Sequence, residues 1–264
     1  GLIMSKPRPR NRPNSHKRKM SSRPSSSGEN WLWGVHAVSA ALANPQRRLK
    51  RLIGTENGLS RLTNAPAGAE RLPPQEIDRL VPRDAVHQGL AAQFEPLPVV
   101  QVEDLIARGI ERIVVLDQVS DPHNLGAIYR SAAAFGVGAL VLQTRNAPPI
   151  TGIVGKAAVG AIETVAECRA VNIARALAAL AGAGYHTVGL AGEGAARIDQ
   201  AVSGTSKIAS VLGAEGPGRR PGVAKACAEL AHIPIAAQME SLNVSNAAAI
   251  AFYETQRASQ ASSQ

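Results

Sequence analysis

From about residue 110 onward, short β-branched runs alternate with stretches of helical character: 113–116, 125–135, 139–142, 173–181, 186–190, 208–212, 223–230 and 244–253. Strand–helix alternation at this spacing is the pattern of βαβ units, and it predicts a mostly parallel α/β sheet of Rossmann-like type. Open sheets of this kind bind ligands beyond the carboxyl ends of their strands. The polar loops that follow the strands are therefore where chemistry is to be sought.

The preceding stretch reads as a separate, smaller unit. Trp31-Leu32-Trp33-Gly34-Val35-His36 opens it, a helical run over 37–43 follows, and Asn44-Pro45 breaks that helix. Arg47, Arg48, Lys50 and Arg51 lead into Leu52-Ile53-Gly54, a short helix is expected over 76–80, and Val86-His87-Gln88-Gly89 marks a turn. Residues 29–95 are thus predicted to form a small α/β module. Pro96 and Pro98 open a connector, 96–109, to a large domain over 110–258, with 259–264 as a terminal tail.

The formal charge of +9 points to a polyanionic partner only after it is located along the chain. Eight cations and no acid lie in residues 1–28, a Pro- and Ser-rich stretch that is expected to stay disordered and to attract polyanions non-specifically. The remainder is almost neutral, so bulk charge does not identify the folded part as an RNA binder. Arg47, Arg48, Lys50, Arg51, Arg219 and Arg220 are the candidate RNA contacts within it, against the alternative that each is a solvated charge. With three Phe, two Trp and three Tyr, stacking platforms for single strands are scarce, and shape or backbone readout of a folded RNA is expected.

Two distant cysteines, Cys168 and Cys227, fit a reducing compartment rather than a disulfide scaffold. No apolar run approaches the roughly 20 residues of a membrane span, and no secretory apolar region follows the basic start, so a soluble cytoplasmic protein is expected. The six histidines are scattered and the cysteines unpaired, which argues against a metal site.

Three segments after predicted strands could carry chemistry. In the first, a polar loop from Asp117 to Asn124 enters a helix with Asn124 as the expected N-cap, and Arg130 interrupts an otherwise apolar helix. Taken alone, a cap and an arginine snorkelling to solvent explain it. The second, Gly213-Ala214-Glu215-Gly216-Pro217-Gly218, is a glycine-rich turn that lets backbone approach a ligand, with a helix expected from Pro221. It matches neither a phosphate-cradling P-loop nor the dinucleotide fingerprint, which disfavours a nucleotide-dependent oxidoreductase. The third, Ser241-Leu242-Asn243-Val244-Ser245-Asn246, opens a long helix expected to end near Glu254.

In this order and spacing, across about 150 residues, the three segments resemble the signature motifs of the SpoU branch of the SPOUT-class RNA 2′-O-methyltransferases. Trp33-Gly34-Val35-His36-Ala37-Val38 and Val86-His87-Gln88-Gly89 resemble the small RNA-binding domain of members acting on ribosomal RNA. The stretch Ala236-Ala237-Gln238-Met239-Glu240 departs from the pattern in lacking a glycine. The resemblance implies S-adenosylmethionine as methyl donor, held by Gly213, Ala214, Gly216, Ile233 and Leu242. It also implies a catalytic set of Arg130, Asn124, Glu215, Ser241 and Asn243, a homodimer, and a trefoil knot in the C-terminal domain. The implied substrate is a guanosine ribose in 23S ribosomal RNA, with transfer RNA, or RNA binding without turnover, as the alternatives.

Overall fold

The structure is a computed structural model and describes residues 30–150, 152–213 and 220–261. The small domain contains β1 (Trp31–Trp33), α1 (Val35–Ala43), β2 (Leu49–Gly54), α2 (Glu56–Ser60), β3 (Glu70–Arg71), α3 (Pro74–Leu80) and β4 (Leu90–Phe94). Its four strands form one sheet in the order β1-β4-β2-β3, with β4 antiparallel to both neighbours. Strands this short alternate their side chains between two faces. Trp31, Trp33, Ile53 and Ala91 turn to α3 and bury with Ile77 and Val81, whereas Leu32, Leu52, Leu90 and Ala92 join the main core.

The large domain continues with α4 (Val102–Ala107), β5 (Arg112–Asp117), α5 (Pro122–Ala134), β6 (Ala139–Gln143), α6 (Ile153–Ala158), β7 (Ala166–Ala170), α7 (Ile173–Gly182) and β8 (His186–Leu190). After these come β9 (Ala196–Arg197), α8 (Ile198–Ala201), β10 (Ile208–Gly213), α9 (Pro221–Lys225), β11 (Glu229–His232) and α10 (Val244–Ala261). The seven strands β5 to β11 pair in parallel throughout, in the order β7-β6-β5-β10-β8-β11-β9. Alternate residues serve opposite faces. Val114, Leu116, Leu140 and Leu142 pack with Leu125 and Ile128 of α5 and Ala248 and Phe252 of α10, while Ile113, Val115, Ala139 and Val141 pack with Leu105 of α4 and Leu177 of α7. The parallel sheet expected from the alternation is present, sandwiched between two helical layers.

Three boundaries differ from the sequence reading. The connector is shorter than 96–109, because Val100 bridges to Cys168 of β7 and residues 102–107 coil into α4, where the Asp104 carboxylate accepts the Gln101 N–H at 2.9 Å. The stretch 223–230 is not one helical segment. It divides into α9 and β11, the latter recruited by pairing with β8. The last helix passes Glu254 and runs to Ala261.

The two domains share a core rather than a loose linker contact. Leu32, Val38 and Ala41 of the small domain lie in one cluster with Val154, Ala158 and Ile162 of the large one. Across the same seam Arg47 and Glu163 form a bidentate ion pair at 2.9–3.2 Å, with side chains only 6% and 5% exposed. Asn44 Nδ2 donates to the same carboxylate at 2.8 Å, and the Arg47 guanidinium lies 5.6 Å from the centre of the Phe94 ring. Arg47 is therefore an interdomain tie and is not available to RNA as the basic cluster suggested. Among its neighbours, Arg51 is engaged with Glu70 at 2.8 Å and lies over Trp31, which leaves Arg48 and Lys50 facing solvent.

Candidate active site

Because all seven strands run parallel, their carboxyl ends gather at one edge of the sheet. β5 and β10 finish in register at Asp117 and Gly213, and β8 and β11 finish together near Leu190 and His232. The loops that leave this edge lead into α5, α9 and α10.

The first of them enters α5 through Asp121, not Asn124. Asp121 Oδ1 accepts the His123 N–H at 2.8 Å, and Pro122, which has no N–H to satisfy, takes the first helical position. Asn124 thus sits inside the first turn with its amide free to reach elsewhere. It reaches the third segment: Asn243 Nδ2 donates to Asn124 Oδ1 at 3.1 Å. Asn243 Oδ1 in turn accepts the Ser245 N–H at 2.9 Å and its Oγ–H at 2.5 Å, while the Asn243 carbonyl accepts the Ala247 N–H at 3.0 Å. Asn243 is the cap of α10, so the starts of α5 and α10 are joined by one side-chain amide pair. Ser241 is exposed and Leu242 half-buried just ahead of it.

Arg130 is exposed on α5 and, among the described residues, has no ion-pair partner. Six residues separate it from Asn124, about one and two-thirds turns, so the two leave the helix on different sides. Its neighbour Tyr129 turns into the core and is fully buried. Burial, reinforced by the nearby Glu167 carboxylate, pushes the Tyr129 phenol well above its ordinary range, which keeps it protonated and unsuited to accepting a proton. A cavity of about 500 Å³ beside Tyr129, walled by Phe94, Glu163, Glu167 and Arg169, contains none of Asn124, Arg130, Gly213 or Asn243.

Asp117 at the end of β5 is completely buried, an expensive position for a carboxylate unless it is paired and hydrogen-bonded. Arg220 provides both: its backbone N–H reaches Asp117 Oδ2 at 2.9 Å, and its Nε and Nη2 reach Oδ1 at 3.1 and 2.8 Å. Gly213 and Arg220, the residues on either side of the glycine-rich segment, are thus both fixed to Asp117, one by strand register and one by charge. Sequence reading placed Arg220 among RNA contacts and gave Asp117 no role. In the structure the pair joins the end of β5 to the start of α9, the residues that flank 214–219. Ala214, Glu215, Gly216 and Arg219 lie outside the described residues.

The sequence reading also passed over Ala191-Gly192-Glu193-Gly194, the turn after β8 at the same edge. Its Gly194 carbonyl accepts from His232 Nδ1 at 2.7 Å, next to Ile233. The signal was a Gly-x-Gly after a predicted strand. Ile233 packs against the main core, Ile235 and Met239 are exposed in the segment that follows it, Leu242 is half-buried, and the described residues gather no group of His, Cys, Asp or Glu side chains that could hold a metal ion. Backbone with apolar side chains suits a nucleoside face.

Comparison with known proteins agrees with this layout. Residues 111–253 match the model of the SpoU rRNA Methylase family, and residues 31–100 match that for RNA 2′-O ribose methyltransferase substrate binding. The 23S rRNA (guanosine-2′-O-)-methyltransferase RlmB of Vibrio cholerae is 37% identical over 86% of this chain and 96% of that protein. A putative TrmH-family RNA methyltransferase from Porphyromonas gingivalis superimposes with a TM-score of 0.69 at 30% identity, covering 86% of this chain and 89% of the other. The SpoU methyltransferase AviRb of Streptomyces viridochromogenes, solved with AdoMet, shares the fold with a TM-score of 0.72 at 21% identity, covering 86% and 89%. The chain belongs to the SpoU rRNA methylase family.

Proposed function

We propose that this protein transfers a methyl group from S-adenosylmethionine to the ribose 2′-hydroxyl of a guanosine in 23S ribosomal RNA. The observation that carries the reading is the Asn243–Asn124 bridge, which joins the third family motif to the first at the ligand-binding edge of the sheet. The RlmB relatives, similar over nearly their whole length, support the substrate.

The donor supplies an electrophilic methyl on a sulfonium centre. Gly213 and the turn it opens, with Ile233 and Leu242, would hold it, and Ala214 and Gly216 complete that set by family resemblance. A ribose hydroxyl is far too weak an acid to ionise at neutral pH, so the chain's own groups must orient it and stabilise the charge it develops. Arg130 fits that task as an orienter and alkoxide stabiliser. A guanidinium gives up its proton too reluctantly to serve as a base. Asn124, Ser241, Asn243 and Glu215 hold the geometry around it.

The finer expectations follow from the same reading. A knot is supported by the strand order, since the late strands β10 and β11 are inserted between earlier ones. A homodimer is supported by the side of α10 that leaves Ile250 and Tyr253 exposed, the latter edge-on to Phe135 of α5. Location in the cytoplasm follows from the substrate, and no helix of the described residues is long and apolar enough to cross a membrane.

The test is transfer of labelled methyl from S-adenosylmethionine to unmodified 23S and transfer RNA in parallel, with mapping of the product. Label at one guanosine ribose of 23S RNA, abolished by Arg130→Ala with donor binding largely kept, is the expected result. Label in transfer RNA alone overturns the substrate, and wild-type turnover by Arg130→Ala overturns its role.

A further inference from the structure

The donor site proposed above is pinned at Gly213, the end of β10, and at Ile233, just past β11, yet these two strands are not neighbours. β8 lies between them, paired in parallel to both. Val211, Gly189 and Leu230 stand level across the three strands, so Gly213, Ala191 and His232, each two residues further on, reach the edge of the sheet together. Neighbouring strands lie about 4.8 Å apart, so a molecule held by both Gly213 and Ile233 spans roughly 10 Å and must cross the end of β8. The turn it meets there is Ala191-Gly192-Glu193-Gly194.

That turn is fastened to β11 at both of its ends. The Ala191 N–H donates to the Ala231 carbonyl at 2.9 Å, the Gly194 N–H closes the turn on the Ala191 carbonyl at 3.1 Å, and the Gly194 carbonyl accepts from His232 Nδ1 at 2.7 Å. A carbonyl can only accept, so Nδ1 carries the proton whatever the state of Nε2, and the contact does not depend on the charge of the ring. Gly194 is buried, and a Cβ there would stand 2.5 Å from the Ala231 carbonyl carbon, so the turn lies directly on the strand.

Gly192 and Glu193, at the tip of the turn, are exposed. Glu193 is the one ionisable side chain of these four residues, and among the described residues it forms no ion pair, whereas Glu163, Glu167 and Glu229 each do. A carboxylate only accepts hydrogen bonds, and a pair of adjacent hydroxyls can donate two. S-adenosylmethionine carries its ribose between the adenine and the sulfonium. Ile233, backbone and apolar side chain, suits the adenine, and the methyl must face the Arg130 side, toward β5 on the far flank of β10. The ribose is then the part of the donor that falls over β8.

We propose that the Ala191–Gly194 turn is the seat of the donor's ribose, where Glu193 accepts from the ribose hydroxyls, and that His232 is the positioning residue that holds the turn there. The inference rests on the methyl-transfer function proposed above and adds the middle of the donor to a site so far defined at its two ends.

The test is calorimetric binding of S-adenosylhomocysteine and of its 2′,3′-dideoxy analogue to the full chain without RNA, for wild type, Glu193→Gln, His232→Leu and His232→Asn. Wild type is expected to bind the dideoxy analogue at least about tenfold more weakly, as a site built around hydroxyls does, whereas Glu193→Gln should bind the two nearly alike. His232→Leu should lose roughly tenfold in affinity for S-adenosylhomocysteine and raise KM for the methyl donor with kcat unchanged. His232→Asn, whose Nδ2 can donate from the same place, should recover both. No change in Glu193→Gln, or equal losses for the two ligands, overturns the ribose assignment, equal losses giving the carboxylate to another part of the donor such as its ammonium. Unchanged affinity in His232→Leu, or an Asn variant as weak as the Leu variant, overturns the positioning role, and the Glu193 comparison stands by itself should His232→Leu fail to fold. Binding of S-adenosylhomocysteine without methyl transfer to RNA defeats the parent reading alone, since the affinities are read without RNA, and a wild type that binds no S-adenosylhomocysteine overturns both.

Discussion

Asn124 and Asn243 stand 119 residues apart in the chain and meet amide to amide at 3.1 Å, but only one of them caps a helix. Asp121 caps α5 in place of Asn124, whereas Asn243 both caps α10 and makes the bridge. Asn124→Ala is therefore expected to cost less than about 1 kcal/mol of stability, the net value of one exposed hydrogen bond. Asn243→Ala loses cap and bridge together, about 1–2 kcal/mol, and should lower both donor affinity and turnover. Chemical denaturation alongside donor titration separates the two, and equal stability losses would show that the cap assignment is wrong.

The Asp117–Arg220 pair makes a prediction about the donor site. Removing the arginine's charge strands a wholly buried carboxylate at the foot of the glycine-rich turn. Arg220→Gln should weaken S-adenosylmethionine binding at least tenfold, an effect calorimetry would register without any RNA present. A variant that binds the donor normally but loses RNA affinity would return Arg220 to the RNA surface where its sequence context first placed it.

The seam between the domains depends on Arg47 and Glu163. Deleting one member of a buried ion pair typically costs about 3–5 kcal/mol, because the other charge is left buried alone. Glu163→Ala is expected to fall in that range by thermal or urea unfolding, and Arg48→Ala, at an 82% exposed side chain, to change stability by less than about 0.5 kcal/mol. Similar small effects at both positions would contradict the burial.

Cys168 offers a chemical readout of the core. Burial, with Glu103, Asp104 and Glu167 nearby, pushes its thiol up to about 12, so almost no thiolate exists at pH 8. Iodoacetamide should leave it unmodified in the native protein and label it after denaturation. Native labelling at Cys168 would show that β7 opens far more readily than its packing implies.

The parallel sheet was legible because β5, β6 and β10 are short, largely apolar runs whose burial on both faces is written mostly in Val, Ile, Leu and Ala. The strands that escaped notice are β7, β9 and β11. Glu229–His232 has only one fully buried residue and becomes a strand by pairing with β8, a partner forty residues away that no local composition reveals. The site divides in the same way. Motif order singled out Asn124, Arg130, Gly213 and Asn243, of which the structure joins Asn124 to Asn243, but the direction in which a charge faces depends on tertiary neighbours. Arg47 and Arg220 therefore read as RNA contacts when they in fact answer Glu163 and Asp117.

The order in which the strands sit, β5-β10-β8-β11-β9, has a consequence for biosynthesis. A chain made from its N-terminus exposes β5 and β8 well before β10 exists to fill the place between them, and β8 and β9 wait likewise for β11. Until β10 has emerged β8 has no neighbour, and until residue 232 has emerged β8 keeps an open hydrogen-bonding edge, the kind of surface that invites pairing with other chains. The domain must therefore complete its folding after almost all of it has been synthesised, and a chain terminated between β8 and β11 should yield an aggregating product rather than a smaller stable one.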